Sequence, residues 1–309
     1  MQFQNRSIIS IQDFTKEEIN HILKTSQAME LFAKTGTNVL EGKILATLFF
    51  EPSTRTRLSF EAAMQKLGGS TIGFNDVDTA STKKGETFVD TIRTVENYAD
   101  VIALRHSLEG AAVAAKECSK VPIINSGTGA QEHPTQALID LYTIQKEKRQ
   151  IDNLKIAILG DLRYGRTVHS LARALTNYNV ELFLVSPETL RIQENILKEI
   201  KPKISVTEKQ NLDEILPEID VLYVTRIQRE RFPDPAEYVK LKDAYRIDQK
   251  ALKTAKKDMI ILHPLPRVDE IAPEIDQTPY ARYFQQVGNG LYVRMAVLSL
   301  ILGTKDGCK

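Results

Sequence analysis

Short apolar runs rich in valine, isoleucine and leucine recur along nearly the whole chain. They lie at 44–50, 70–74, 101–105 and 121–125, then at 155–159, 181–185, 204–207, 221–225 and 259–262. Stretches with helical spacing, such as 87–98 and 167–178, separate them. A strand that is apolar at successive positions is buried on both faces, and parallel neighbours need a helical crossover. This alternation predicts an α/β chain built from doubly wound parallel sheets. At 309 residues the chain exceeds one ordinary core, so the two sets of strands predict two such domains. The expected division is 1–133 and 134–288. A helix over 134–149, with Pro134 in its first turn and a charged end, would connect them. A last apolar helix at 291–302, after Gly288-Asn289-Gly290, would pack its 289–309 segment back on the first domain.

In open α/β sheets ligands sit beyond the carboxyl ends of the strands. The chemically notable groups fall there: Ser53 to Arg57, Arg105-His106, His133, Gly160 to Thr167, Arg226-Ile227-Gln228, and His263 to Arg267. The active site is therefore expected in the cleft between the two domains.

Phe50-Glu51-Pro52-Ser53-Thr54-Arg55-Thr56-Arg57 is the most informative of these. Its hydroxyls and guanidiniums fall at the predicted first turn of a helix, where unpaired N–H groups and the positive dipole end favour an anion. One hydroxyl suffices for a cap. Two arginines at a positive dipole end repel it unless an anion is bound, and guanidinium forks suit phosphate oxygens. His133-Pro134-Thr135-Gln136 opens the connector helix, so His133 and Gln136 project from the same end. Imidazole and amide beside arginine can polarise a carbonyl.

Composition narrows the classes. With 41 Lys+Arg against 40 Asp+Glu the net charge is +1, which gives no support for a nucleic-acid or membrane surface. Two cysteines, Cys118 and Cys308, make neither a disulfide framework nor a thiolate metal site. No signal peptide or membrane-length apolar run is visible, so the expected location is cytoplasmic. The five histidines, His21, His106, His133, His169 and His263, show no ligand spacing, so no metal is expected. Gly160-Asp161-Leu162-Arg163-Tyr164-Gly165 follows a strand but is not Gly-x-Gly-x-x-Gly, so no dinucleotide cofactor is expected either.

The two motifs together resemble the aspartate/ornithine carbamoyltransferase family. Further stretches resemble its aspartate branch: 160–170, Thr225-Arg226-Ile227-Gln228-Arg229-Glu230-Arg231, and Leu262-His263-Pro264-Leu265-Pro266-Arg267-Val268-Asp269-Glu270. The ornithine branch carries a cysteine where Leu265 stands and a Ser-Met-Gly loop that does not occur here. The resemblance implies transfer of the carbamoyl group of carbamoyl phosphate to L-aspartate, the committed step of pyrimidine biosynthesis, without a cofactor.

It also implies residue roles. Ser53, Thr54, Arg55 and Thr56 would hold the phosphate, while Thr56, Arg105, His133 and Gln136 would meet the carbonyl side. The backbone of Leu265 and Pro266 would meet the carbamoyl amine. Arg166, Arg226 and Gln228 would take the aspartate carboxylates. Arg55, Thr56, Lys84, Arg105 and His133 would be the catalytic set. Ser81 and Lys84 would reach the ligand from a neighbouring subunit, Lys84 also contacting aspartate, which implies a homotrimer with shared sites. Glu51, Arg166 and Arg231 would form ion pairs of the closed state. A separate regulatory chain is compatible with the resemblance.

Overall fold

The computed structural model describes residues 2–75, 85–227 and 245–303. Its backbone contacts divide it into two compact units, 1–142 with 288–309, and 143–287.

The first unit begins with α1 (Lys16–Thr35). Thr15 caps its N-terminus and Glu18 returns the bond to the Thr15 N–H, a reciprocal capping box. The sheet comprises β1 (Ile44–Phe49), β2 (Ser70–Phe74), β3 (Val101–His106) and β4 (Ile123–Thr128). All pairings are parallel, in the order β2-β1-β3-β4. The crossovers carry α2 (Thr54–Lys66), α3 (Phe88–Val95) and α4 (Ala111–Cys118). Ala46, Leu48, Ile102, Leu104 and Ile123 share a core with Ile92, Ala112 and Ala115 of the helices. That coverage is what continuous rather than alternating apolar runs require.

The second unit repeats the scheme with β5 (Lys155–Leu159), β6 (Glu181–Val185), β7 (Ser205–Lys209), β8 (Val221–Val224) and β9 (Ile260–Leu262). Their order is β7-β6-β5-β8-β9, again all parallel. The helices α6 (Arg166–Leu175) and α7 (Glu194–Ile200) belong to this unit, and α5 (Pro134–Lys148) runs across the division. No helix among the described residues is long and apolar enough to cross a membrane.

The last helix, α8 (Tyr283–Leu302), corrects one expectation. It starts well before residue 291 and runs through Gly288-Asn289-Gly290 without a break. Gly290 is there for space. A Cβ on it would lie 2.8 Å from an Arg294 guanidinium nitrogen and 3.3 Å from Ile139 of α5. Close helix packing outweighs the cost of glycine in a helix, about 1 kcal/mol relative to alanine.

Gly160, the first residue after β5, has φ +121°, and a Cβ on it would sit 2.3 Å from the carbonyl oxygen of Thr225. Side chain and backbone both exclude any other residue. Gly160→Ala is expected to destabilise the chain by ~3 kcal/mol, since strain and a backbone clash add. Thermal unfolding of the variant checks this, and an unchanged midpoint would contradict it.

Candidate active site

In both sheets the strand order reverses direction at one place, and the loops leaving the two central strands part from each other there. In the first unit that place lies between β1 and β3, where Phe49 is the register partner of Arg105. The Phe50 N–H donates to the Arg105 carbonyl at 2.9 Å. The Phe50 ring is held by Phe74, Phe88 and His106, with centroids 5.1, 5.6 and 4.9 Å away. Burial in this cluster lowers the His106 pKa against the opposing pull of Glu51. This fixes the chain's exit from β1. Glu51 then turns to Arg105, whose Nη2 lies 2.9 Å from its carboxylate.

Ser53 is the N-cap of α2, yet its side chain makes no capping hydrogen bond, and no acid occupies the helix's first turn. The usual partners of a helix N-terminus are thus withheld. Thr56 is buried while Thr54 and Arg55 are exposed. Arg57 approaches Glu61 one turn on at 3.4 Å. The result is a helix end with hydroxyls and a guanidinium, suited to an oxyanion.

On the same carboxyl edge, His133 precedes α5 and is buried. The Gln136 and Ala137 N–H groups both donate to its carbonyl, at 3.0 and 3.3 Å. Its Nδ1 lies 3.4 Å from the Thr135 hydroxyl. Gln136 donates through Nε2 to Asp140 at 2.7 Å. That assignment leaves the Gln136 carbonyl oxygen turned from Asp140, as an acceptor.

The second unit has its reversal between β5 and β8, where Leu159 and Val224 are register partners. The Thr225 N–H and hydroxyl both donate to the Leu159 carbonyl, at 2.8 and 3.2 Å. After β5, the buried Asp161 accepts from the N–H groups of Arg163 and Tyr164 at 3.1 and 2.9 Å. This side-chain turn delivers the chain to α6 with Arg166 as its first residue, half-buried. Arg226, also half-buried, follows β8. Gly160, Thr225, Arg226, Tyr245, Val268 and Glu270 line one small cleft. One cation thus stands just past β8 and another at the start of the helix that follows β5, an arrangement suited to a ligand with separated carboxylates.

The loop after β9 is the most constrained. The Leu265–Pro266 peptide is cis, and Leu265 has φ +55°, a region that costs a non-glycine residue on the order of 1–3 kcal/mol. Arg267 is tied to Asp276 and donates to the Tyr283 hydroxyl at 3.0 Å. The hydrogen bond from Arg267 is the main reason the Asp276 carboxyl titrates below its ordinary range. His263 is buried against Glu270, Nε2 to Oε1 at 2.7 Å. Burial pushes the Glu270 carboxyl up, but the His263 bond and backbone N–H donors outweigh it, so its pKa is lowered.

The structure therefore gathers Glu51, Ser53, Thr54, Arg55, Thr56, Arg105, His133 and Gln136 on the carboxyl edge of the first sheet. It places Arg166, Arg226, Leu265 and Pro266 at strand ends of the second. Ser81, Lys84, Gln228 and Arg231 lie outside the described residues. Sequence reasoning missed the supporting acids Asp140, Asp161 and Glu270. Only the first had a local signal, since Gln136 and Asp140 stand at i and i+4 on one helix.

Residues 6–146 match the model of the aspartate/ornithine carbamoyltransferase carbamoyl-P binding domain, and residues 152–301 that of the Asp/Orn binding domain. The aspartate carbamoyltransferase catalytic subunit of Thermococcus onnurineus is 56% identical over 310 residues, covering 99% of this chain and 100% of the relative. That of Methanopyrus kandleri is 55% identical over 304 residues, covering 97% and 98%. Among solved structures, the catalytic subunit of M. jannaschii aspartate transcarbamoylase superposes with TM-score 0.89 at 54% identity, over 96% of this chain and 97% of that one. Aspartate transcarbamoylase from Trypanosoma cruzi in complex with carbamoyl phosphate superposes with TM-score 0.94 at 40% identity, over 97% of both chains. Two domain models in order, relatives matched from end to end and a shared fold leave one assignment: this chain belongs to the aspartate/ornithine carbamoyltransferase family.

Proposed function

We propose that the chain transfers the carbamoyl group of carbamoyl phosphate to the amine of L-aspartate, giving N-carbamoyl-L-aspartate and phosphate. The observation that carries this is the pair of cationic strand ends. A hydroxyl- and arginine-bearing helix N-terminus stands at the reversal point of one sheet, and Arg166 and Arg226 flank the reversal point of the other. The names of the relatives support the aspartate branch.

In this reading Ser53, Thr54, Arg55 and Thr56 hold the phosphate. Arg105, Thr56 and His133 donate to the carbamoyl oxygen; Gln136, expected on the carbonyl side, gives its Nε2 to Asp140, so its carbonyl instead accepts from the carbamoyl amine together with the backbone at Leu265 and Pro266. Arg166, Arg226 and Gln228 bind the aspartate carboxylates. The amine attacks the carbamoyl carbon, a tetrahedral oxyanion forms, and the C–O bond to phosphate breaks. The amine proton leaves with the departing phosphate. No covalent enzyme intermediate is needed, so the rate comes from positioning two anions and from preset donors at the oxyanion.

We further propose a homotrimer in the cytoplasm in which Ser81 and Lys84 complete a neighbour's site, Glu51, Arg166 and Arg231 serving closure. A regulatory chain remains compatible with this. The first unit offers support for association. Its edge strand β2 exposes Ile72, and Leu58, Val89 and Tyr98 are exposed large apolar side chains of the same unit. Single apolar residues on a surface are ordinary, but several on one unit with an unpaired strand edge mark a contact surface.

Carbamoyl phosphate with L-aspartate should yield carbamoyl-aspartate, and with L-ornithine no citrulline; the opposite product would reassign the second unit. His133→Ala is expected to lower kcat by ~10²–10³-fold, the loss on removing one preset oxyanion donor. Arg226→Ala should act chiefly on the aspartate half-saturation, leaving that of carbamoyl phosphate close to the parent value. For the shared site, inactive Lys84→Ala and His133→Ala chains should recover activity when dissociated and reassembled together. Mixtures as inactive as either parent would place each site within one chain.

A further inference from the structure

The loop at 263–270 contains a strained residue that its own side chain cannot hold. Leu265 has φ +55°, and a leucine has no side-chain hydrogen bond with which to stabilise a left-handed backbone. The partner comes from His263, whose Nδ1 accepts the Leu265 N–H at 2.8 Å. An Nδ1 that accepts carries no proton. The ring proton is then on Nε2, which faces Glu270 Oε1 at 2.7 Å. Glu270 spends its other oxygen on the Val268 and Asp269 N–H groups, at 3.0 and 3.1 Å. Behind the ring, the His263 N–H donates to Gln286 Oε1 at 2.9 Å. His263, Glu270 and Gln286 are all buried.

We infer that His263 and Glu270 are positioning residues that set the direction of the Leu265–Pro266 backbone by fixing one imidazole tautomer. Glu270 accepts only, so it admits only the Nε2–H form, and only that form leaves Nδ1 bare for the Leu265 N–H. The two side chains thereby tie both ends of the loop to one ring, from Leu265 on the near side to Asp269 on the far side. The inference rests on the reading in which this backbone meets the carbamoyl amine. A strained backbone persists where its surroundings over-determine it, and such places cluster at active sites.

Two substitutions separate the two ends of the ring. In His263→Asn the amide oxygen can replace Nδ1 as acceptor for Leu265 but does not reach Glu270. In His263→Gln the longer amide can replace Nε2 toward Glu270 but leaves the Leu265 N–H unaccepted. Amide hydrogen exchange at Leu265 should stay slow in the first and accelerate in the second. The carbamoyl-transfer kcat should fall about tenfold in His263→Asn and about a hundredfold in His263→Gln, as expected when reacting groups are misplaced by a fraction of an ångström to one ångström. The aspartate half-saturation should stay near the parent value in both. Glu270→Gln should release the tautomer, which the nitrogen chemical shifts of His263 read directly in a folded protein whatever its activity. Equal kcat losses in the two His263 variants that track their thermal midpoints would reduce the pair to a structural role and overturn the inference. So would unaltered Leu265 exchange in His263→Gln, or an unchanged tautomer in Glu270→Gln. Absence of carbamoyl-aspartate from the parent enzyme would instead defeat the underlying reading, and the exchange and tautomer results would still decide whether His263 holds Leu265.

Discussion

Everything in this chain that concerns chemistry depends on how a parallel sheet ends. Adjacent strands of such a sheet point their carboxyl ends the same way, and where the winding reverses the two outgoing loops have no crossover between them. Here the pairs are β1 with β3 and β5 with β8. Register makes the geometry tight. Phe49 stands beside Arg105 in one sheet and Leu159 beside Val224 in the other. Segments distant in sequence therefore reach one edge without any loop having to find its partner, and Glu51 meets Arg105 because their strands are already paired.

Cations gathered at such an edge repel one another and lose solvent, so those that are partly buried gain from a compensating group before any ligand arrives. The first unit pairs Arg105 with Glu51 and Arg57 with Glu61. The second pairs Arg267 with Asp276, with the Tyr283 hydroxyl on the same guanidinium. The pattern separates two kinds of arginine. Arg267 is held by Asp276 and the Tyr283 hydroxyl and reads as loop support, whereas Arg55 is exposed at a helix end that carries no acid. An acid in the first turn of α2 would stabilise that helix by about 0.3–1 kcal/mol. Its absence is a local cost that makes sense if the positive end serves an anion.

The parts legible in the sequence were those whose cause is local. A continuous apolar run is a buried strand wherever it occurs, so β1 was expected over 44–50 and found at Ile44–Phe49, and β6 was found at Glu181–Val185 as expected. The start of α8 is not legible in this way, because Gly288-Asn289-Gly290 places the start of an apolar helix after it, at 291. What calls for glycine at 290 is the proximity of Arg294 and of Ile139, a residue of another helix whose approach leaves no trace in local composition. The same distinction divides the candidate site. Ser53 to Arg57 and His133 to Gln136 are compact motifs. Asp161 is close in sequence to the N–H groups it holds, yet nothing in Gly-Asp-Leu-Arg marks it as a turn-former rather than a surface acid. Glu270 acquires its function only from a ring seven residues upstream, whose other nitrogen holds the Leu265 N–H.

That division has a physical reason. Groups that touch a ligand must match its charge, and charge is written in residue type, so arginine, histidine and hydroxyl clusters announce themselves. Groups that orient those side chains or their backbone need only one hydrogen bond at the right place, and many residue types can supply one from any distance in sequence. In this chain the orienting groups are acids: Asp140 on Gln136, Glu51 on Arg105, Glu270 on His263. An ionised carboxylate accepts and never donates, so it leaves no choice of tautomer or amide flip to the group it holds. Neutral acceptors such as asparagine present both a donor and an acceptor and would admit the wrong orientation along with the right one. The repeated use of buried or half-buried carboxylates behind polar groups is thus an economical way to fix direction, and it explains why a chain with near-equal numbers of acids and bases can present cationic strand ends.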